Sequence, residues 1–548
     1  EVGTFVVKNR WTRHVLQERL MSRPVLFISC VFASVMAIAC AEPAGDTDSA
    51  AYTPDDFATD YAFPAPEYDA TKADNYISTN AREFVVRGDL TATLPEGFAD
   101  LSGEERALRL QSTINSHSRK VSSAVRSRLK AAANDANDGV TGDDATYFTY
   151  FRSNSELLGD VLSTTDETVT YQLEMQLVAS PYLMHYVSPG ENERRSFTVE
   201  LSSGYGSWGS SSSSSSDEPE VVELTIEGSA SRDAFPKYNE MFEDGIYDIA
   251  VHFGGDYNEG RHDIETAKWL VETLVEQGWE SDVRTFEDLK IDSGPFTRKL
   301  EVEGSSLEAR VYIYHSDMVE AAEEEKLADV MRESFAERDI VIYSGHAGSN
   351  AGFILDYQPK FEIDDKDFKD LPMADKYQIF VLDGCMTYRT YVDQLLANPA
   401  KTYENVDIVT TVNTTPFGLG YQVLHEFVYW LTLTDQLGRH FPLTWQTILR
   451  GVNIRSFKTV HYGVHGIDAD PGLNPHGGEE MLCSPCRDAS ECGPGGNICL
   501  NIGGQGGCGV ACASDSACPD GYRCARLTDD PDLFHLPKQC IPRDYQCR

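Results

Sequence analysis

The sequence predicts a multidomain α/β protein whose main domain is a mostly parallel sheet covered by helices. Short apolar runs at residues 247–253, 340–343 and 378–382 are bounded by polar turns, which is typical of strands buried on both faces. Amphipathic helices such as 263–277 separate these runs, and this alternation is that of a parallel sheet. With 548 residues, 41 % of them hydrophobic, the chain is long enough for this core and for further domains.

Composition and cysteine spacing divide the rest of the chain. Residues 101–133 have helical periodicity and three later stretches alternate as strands, which predicts a small α+β domain without an assignable function. Inside the α/β domain, residues 318–338 predict an acidic helix. The predicted segments are an upstream extension with a signal peptide (1–39), an acidic flexible tether (40–80), the α+β domain (81–230), the α/β domain (235–475) and a disulfide-rich module (483–548).

The charge of the chain excludes several classes of partner. It contains 46 Lys and Arg against 87 Asp and Glu, so the formal net charge is −41. Nucleic-acid binding requires clustered basic residues that neutralise phosphates, and adsorption to anionic lipid by charge requires the same. Only one stretch is apolar enough to enter a bilayer, which excludes a protein with several membrane spans.

That apolar stretch has the features of a secretory signal. A basic residue follows Met21, and the apolar run over 25–39 is too short to span a membrane as a helix. Its ending, Ala37-Ile-Ala-Cys40, resembles a bacterial lipobox. The resemblance implies cleavage before Cys40, a lipid on its sulfur, and peripheral attachment to a membrane of the cell envelope, facing the periplasm or the extracellular space. An ordinary signal peptide cleaved nearby is the alternative.

The cysteines also indicate export. Ten of the 13 lie in the C-terminal module. An even number in a Gly-rich exported segment predicts five disulfides, which stabilise a module too small for a core of its own. The spacing leaves their pairing open, and a CxxC at the start of the module leaves zinc as an alternative. The ten are Cys483, Cys486, Cys492, Cys499, Cys508, Cys512, Cys518, Cys524, Cys540 and Cys547.

Cys385 stands apart from every other cysteine and is predicted to be an unpaired thiol with a chemical role. It follows the predicted strand 378–382, and His346 follows the predicted strand 340–343. The carboxyl ends of neighbouring parallel strands meet at one edge of a sheet. A thiol beside an imidazole is the minimum for nucleophilic acyl transfer, since the imidazole removes the thiol proton and later protonates the leaving amine.

These two motifs resemble those of the cysteine peptidases that include caspases, metacaspases, gingipains, legumains and clostripain. That pattern is a hydrophobic strand followed by His-Gly, then a second hydrophobic strand ending just before the nucleophilic Cys. The resemblance implies a caspase-like fold over residues 235–475, with His346 as general acid and base and Cys385 as nucleophile. It also implies an oxyanion hole formed by the backbone N–H groups of Ala347 and Cys385.

Three positions add detail to the resemblance. The family usually has Gly where Ala347 stands and commonly Ala where Gly384 stands, so the chain departs from the pattern at both. Asp383 precedes the Cys by two residues, as in metacaspases and paracaspases, where it lines a pocket for Arg or Lys. The resemblance therefore implies substrate binding by Asp383 and cleavage after a basic residue. A turn-capping role for Asp383 is the alternative.

The sequence thus predicts an exported, lipid-anchored cysteine endopeptidase acting on protein or peptide substrates. A catalytically inactive caspase-like surface protein, which binds a partner or mediates adhesion, is the alternative function. No metal site or cofactor is predicted, although Asp468-Ala-Asp470 resembles part of a calcium-binding loop and leaves calcium as an alternative. The sequence does not indicate an oligomeric state.

Overall fold

A computed structural model describes most of the chain after residue 75. The predicted signal peptide, Cys40 and most of the predicted tether lie outside the described residues. Within the described ranges, no helix is both long and apolar enough to cross a lipid bilayer. These ranges are 76–137, 147–152, 157–187, 194–201, 219–229, 232–320, 322–348, 351–357, 360–416, 420–456, 460–528 and 533–547.

The first described residues form a strand of the eight-stranded sheet of the α/β domain and are not part of a tether. Strand β1 (Ile77–Ser78) pairs antiparallel with a strand near the end of the α/β domain, with Ile77 opposite Val464. Tyr76 and Ile77 are both buried. The prediction that the acidic tether runs to residue 80 is therefore wrong at its C-terminal end.

The predicted α+β domain is an antiparallel six-stranded sheet that packs one face against a long helix. Helix α1 (Gly103–Ala136) begins at a capping box, in which the Ser102 hydroxyl accepts from the N–H of Glu105. Strand β6 alternates strictly between exposed and buried residues, as expected of a sheet with one solvated face. The strands are β2 (Arg82–Thr93), β3 (Thr149–Phe151), β4 (Leu157–Thr164), β5 (Thr168–Ala179), β6 (Arg194–Leu201) and β7 (Glu220–Gly228), with the short helix α2 (Met184–Val187) between β5 and β6.

The α/β domain is built on an eight-stranded sheet in the order β1-β16-β15-β14-β11-β8-β10-β9, which confirms the predicted fold class. Strands β10, β8, β11, β14 and β15 are parallel to their neighbours in that run. A separate hairpin, β12–β13, follows β11. The strands are β8 (Ile246–Phe253), β9 (Phe296–Val302), β10 (Ser305–His315), β11 (Ile340–Ser344), β12 (Phe353–Tyr357), β13 (Lys360–Ile363), β14 (Gln378–Asp383), β15 (Val406–Thr411) and β16 (Tyr462–His465).

Helices cover both faces of this sheet. Successive residues of β14 alternate between two separate cores: Ile379 and Val381 face one, and Phe380 and Leu382 face the other. The acidic helix is shorter than the predicted 318–338, because a 3-10 turn precedes it and it begins only at Glu325. The helices of this domain are α3 (Tyr238–Met241), α4 (His262–Glu276), α5 (Glu325–Glu337), α6 (Tyr391–Leu396), α7 (Gly420–Leu431) and α8 (Trp445–Arg455).

The C-terminal module has the predicted five disulfides among its ten cysteines. Its small strands are β17 (Cys499–Ile502), β18 (Gln505–Cys508), β19 (Val510–Ala511), β20 (Tyr522–Ala525) and β21 (Gln539–Pro542). The module packs directly on the α/β domain, where Ala511 and Ala513 contact the buried Phe235. The disulfides are Cys483–Cys547, Cys486–Cys499, Cys492–Cys508, Cys512–Cys524 and Cys518–Cys540.

Candidate active site

Three neighbouring parallel strands carry the candidate residues to one edge of the large sheet. Ser344, the last residue of β11, pairs with Phe253 of β8 on one side and with Asp383 of β14 on the other. His346 lies two residues beyond Ser344, and Cys385 lies two residues beyond Asp383. Both line one cavity of about 30 Å³. The structure therefore brings the predicted His–Cys pair together where the strand ends converge.

His346 is held by a carboxylate and an aromatic ring from the turn after β8. Its Nε2 lies 3.4 Å from Oδ1 of Asp256, and its ring stacks on Tyr257 with the centroids 4.7 Å apart. The carbonyl oxygen of His346 accepts a hydrogen bond from the Tyr343 hydroxyl, at 2.7 Å. Because an ionised carboxylate only accepts hydrogen bonds, Nε2 is the donor in this contact, and in the neutral imidazole the lone pair is then on Nδ1.

Asp256 is a buried carboxylate with several donors around it. Its oxygens accept from the backbone N–H of Asn258 at 3.0 Å and of His262 at 3.1 Å. Burial alone would raise the pKa of Asp256, but the hydrogen bonds from His346, Asn258 and His262 outweigh that effect and hold the pKa below its usual value. Asp256 therefore remains ionised beside His346 at neutral pH.

Sequence reasoning missed Asp256 and Tyr257. A signal for them was present, since Gly254-Gly255-Asp256 directly follows β8, the strand adjacent to β11. A third strand end at the same edge was therefore a place to look for an orienting carboxylate. The partner of His346 is set by the order of the strands in the sheet, which the spacing along the chain does not reveal.

Cys385 is 4 % exposed, and its Sγ lies 4.0 Å from the carbonyl oxygen of Thr415. It is disulfide-bonded. The prediction of an unpaired thiol is therefore wrong for this structure, since parity in the module says nothing about the remaining cysteines. A nucleophilic role requires prior reduction of this bond.

Asp383 lines the same cavity as His346 and Cys385. Its two oxygens accept from the hydroxyls of Ser344, at 2.8 Å, and Tyr462, at 2.7 Å. Burial raises the pKa of Asp383, and these two hydrogen bonds oppose the rise only in part. The carboxylate is thus both a structural acceptor and a wall of the cavity.

Ala347 and Gly384 pack against each other beside the candidate pair. A Cβ built on residue 384 would lie 2.6 Å from the Cβ of Ala347 and 2.9 Å from the carbonyl oxygen of Gly345. The methyl group of Ala347 thus occupies the space that a side chain at 384 would need. In the peptidases that the motifs resemble, Gly is usual at the position of Ala347 and Ala is common at the position of Gly384. The two departures therefore compensate each other in volume, and the oxyanion role of the Ala347 and Cys385 N–H groups stays a prediction.

The segment with partial resemblance to a calcium loop is occupied by protein groups. The guanidinium of Arg232 donates to the carbonyl oxygens of Ile467, at 3.1 Å, and Asp470, at 3.3 Å, and also to that of Asp468. The Asp470 side chain is buried, and its carboxyl interacts with that of Asp407. A cationic side chain therefore already satisfies the carbonyl oxygens of this turn.

Comparisons with known proteins do not assign a family. No family model and no curated protein matches the chain. A solved structure titled "Structure of Protease" matches with 13 % sequence identity and a TM-score of 0.24. The match covers 51 % of this chain and 62 % of that one, so the chain spans less than two thirds of the matched structure.

Proposed function

We propose that the chain is a thiol hydrolase of peptide bonds, with Cys385 as nucleophile once its disulfide has been reduced. The observation that carries the proposal is the convergence of Asp256, His346 and Cys385 at the ends of three adjacent parallel strands. A carboxylate that orients an imidazole, and an imidazole that shares a cavity with a sulfur, are the parts of a nucleophilic acyl-transfer site. The multiple disulfides of the module fit an extracytoplasmic location.

The proposed chemistry follows from the protonation of these groups. A thiol reductant cleaves the disulfide and leaves Cys385 as a thiol. The Nδ1 atom of His346 removes the thiol proton, and the thiolate adds to the peptide carbonyl while Asp256 stabilises the imidazolium. His346 then gives the proton to the leaving amine, and an acyl-enzyme thioester remains. Water hydrolyses the thioester and regenerates the thiol, with His346 acting again as base.

We propose that substrates are cleaved after Arg or Lys, with Asp383 as the residue that binds the basic side chain. Asp383 lines the cavity, and each of its oxygens accepts one hydroxyl hydrogen bond and has a second lone pair. The net charge of −41 would also favour approach of basic substrates over long range. We expect Asp383→Asn to raise the KM for Arg and Lys peptides while it leaves alkylation of the reduced Cys385 thiol unchanged.

A second candidate function is that of a binding or adhesion protein without catalysis. The disulfide at Cys385 favours it, because a sulfur held in a disulfide cannot act as a nucleophile. In that case the same cavity would be a structural remnant, and the module and the N-terminal sheet would carry the interaction surface.

One experiment separates the two functions. The full chain is treated with graded amounts of a thiol reductant. The thiol state of Cys385 is then determined by alkylation and peptide mapping. The same samples are incubated with Arg- and Lys-directed acyl probes. We expect labelling of wild type only when Cys385 is reduced, and no labelling of Cys385→Ala or of oxidised wild type. Labelling that survives Cys385→Ala would reject the nucleophile. Reduced wild type that reacts with iodoacetamide but with none of the probes or peptides would favour the binding protein.

A further inference from the structure

The N-terminal sheet contacts the segment that follows the candidate nucleophile. We call residues 384–390 the Cys385 loop. Tyr388, in the middle of this loop, is 1 % exposed, and its hydroxyl donates to Oε1 of Glu83 at 3.1 Å. Glu83 is on β2 and is itself 2 % exposed. A buried hydrogen bond to a carboxylate is among the stronger ones in proteins, so this contact ties the loop to the N-terminal domain.

Arg152 of the N-terminal domain makes a second set of contacts around the same loop. Its guanidinium lies 5.7 Å from the centre of the Tyr388 ring, and its Nε lies 3.6 Å from Oδ1 of Asp393 on α6, the helix that follows the loop. The Tyr388 ring also meets the rings of Tyr76, at 5.9 Å, and His465, at 5.5 Å. The loop is thus enclosed by groups from three parts of the chain.

The loop itself is short and constrained, so a displacement of Tyr388 reaches Cys385. Met386 has a φ of 53°, an unusual conformation for a residue with a side chain. The Thr387 hydroxyl donates to the carbonyl oxygen of Leu382 at 3.0 Å, which fixes the loop to the end of β14. The N–H of Met386 donates to the carbonyl oxygen of Asn413 at 3.0 Å. Met386 and Thr387, the two residues between Cys385 and Tyr388, are thus both fixed by hydrogen bonds to neighbouring elements.

A further contact of the N-terminal domain reaches the loop through His461 and Asn413. The ring of Phe148 stacks on His461, with the centroids 3.9 Å apart. The N–H of His461 donates to Oδ1 of Asn413 at 2.9 Å, and Asn413 in turn receives the Met386 N–H. Both routes run from the antiparallel sheet to the residues flanking Cys385.

We propose that Glu83 is a positioning residue for Cys385, so that docking of the N-terminal domain sets the reactivity of the nucleophile. Glu83 acts through Tyr388 and does not touch the reacting atoms. The inference rests on the proposed function, because it assigns a purpose to the geometry around the sulfur. The sequence indicated no function for the N-terminal domain. The inference assigns to this domain the role of completing the active site of the α/β domain.

The test measures the thiol directly, so that it does not depend on finding a substrate. Glu83→Gln removes the negative charge of the acceptor, and Tyr388→Phe removes the donor hydroxyl, each with little change of volume. Glu223→Gln, at an exposed position of β7 in the same sheet, is the matched control. After reduction, the rate of alkylation of Cys385 by iodoacetamide is followed across the pH range by mapping the Cys385 peptide. The thermal unfolding midpoint and, where hydrolysis is found, kcat and KM are measured in parallel.

We expect Glu83→Gln and Tyr388→Phe to lower the alkylation rate of Cys385 or shift its pH profile, with a change of at least about threefold, and to lower kcat more than KM. The double variant should behave like Tyr388→Phe alone, since both substitutions act on the same contact. Glu223→Gln should match wild type. Glu83→Gln and Tyr388→Phe proteins with wild-type alkylation across the pH range would overturn the proposal, and so would a loss of kcat that merely tracks thermal unfolding.

The proposed function and this inference fail differently. If the variants alter alkylation but reduced wild type hydrolyses no peptide, the positioning contact stands and the hydrolase is rejected. If wild type hydrolyses peptides and the variants match it in both alkylation and kcat, the hydrolase stands and the positioning role is rejected. Should Glu83→Gln fail to fold, Tyr388→Phe, which lacks only a hydroxyl, decides the outcome.

Discussion

The two large sheets of the molecule bury their side chains in different ways. Every residue of β14 and β15 is buried, because helices cover both faces of the eight-stranded sheet. In β6 of the N-terminal sheet every second residue is exposed, because only one face packs on α1. The parallel connections of the first sheet gather strand ends from distant parts of the chain at one edge, whereas antiparallel strands reverse direction at each turn. A site can therefore assemble on the first sheet, and the second contributes by holding it.

The largest effects should come from substitutions that test this difference in burial. In β14, adjacent positions should both be costly: Ile379→Ala by about 2–5 kcal/mol and Phe380→Ala by about 3–5 kcal/mol. In β6, Phe197→Ala should cost about 3–5 kcal/mol, but its exposed neighbour Thr198→Ala less than about 1 kcal/mol. Urea unfolding, with hydrogen exchange to assign each transition to a domain, measures these values. Equal costs at the two β6 positions would contradict the one-faced description of that sheet.

The next prediction concerns Asp256, the carboxylate that lies beside His346 at the edge of the parallel sheet. Asp256→Asn keeps the shape of the side chain but removes the carboxylate that stabilises the imidazolium, so hydrolysis by the reduced protein should slow by roughly 100-fold. The lowered pKa of Asp256 means that its ionised form stabilises the fold above about pH 4, and that this contribution is lost as the pH falls further. The stability difference between wild type and Asp256→Asn should therefore shrink in acid.

The matched control for that prediction is Glu259→Gln. Glu259 is an exposed acidic residue in the same turn, three residues after Asp256. The Glu259→Gln substitution should leave both the rate of hydrolysis and its pH dependence unchanged. If Glu259→Gln slows hydrolysis as much as Asp256→Asn does, the effect belongs to the general negative charge of the region and not to the contact with His346.

A smaller effect on stability is expected at Gly384, where the edge of the sheet is closely packed. Gly384→Ala places a methyl group against Ala347 and the carbonyl oxygen of Gly345, so it should cost about 1–3 kcal/mol. Adding Ala347→Gly restores the space taken by one of these neighbours and should recover about half or more of the loss. The double-mutant cycle, measured by thermal unfolding, gives the coupling between the two positions. Gly348→Ala is the control, because a Cβ there meets nothing within 4 Å.

How the strands could be predicted from the sequence also differs between the two sheets. Continuous apolar runs identified the buried strands around Phe380, and alternation identified the N-terminal strands, because each pattern reflects how many faces are covered. The convergence of His346 and Cys385 followed from the rule for parallel strand ends. Asp256 was missed because its role depends on which strand lies next to β11. The contact between Glu83 and Tyr388 joins residues 305 positions apart, and no local pattern predicts such a pairing.

The smallest predicted effect tests the cost of polar groups inside the two-faced sheet. Asp407 on β15 is fully buried and accepts from Tyr377 at 2.7 Å and Trp445 at 2.6 Å, while Asp470 is buried beside it. Burial raises the pKa of both carboxyls, that of Asp407 to about 6. The folded state therefore keeps protons that the unfolded chain has lost, and stability falls as the pH rises from about 4 through 6.

Asp470→Asn removes one of these two ionisations and supplies an amide that can donate to Asp407. From pH 5 to pH 8 wild type should lose on the order of 1 kcal/mol more of its free energy of unfolding than the variant does. Asp468→Asn, an exposed neighbour in the same turn, should follow wild type. Parallel curves for wild type and Asp470→Asn would mean that the pair is not protonated in the folded state, and that even a sheet covered on both faces leaves these carboxylates well solvated.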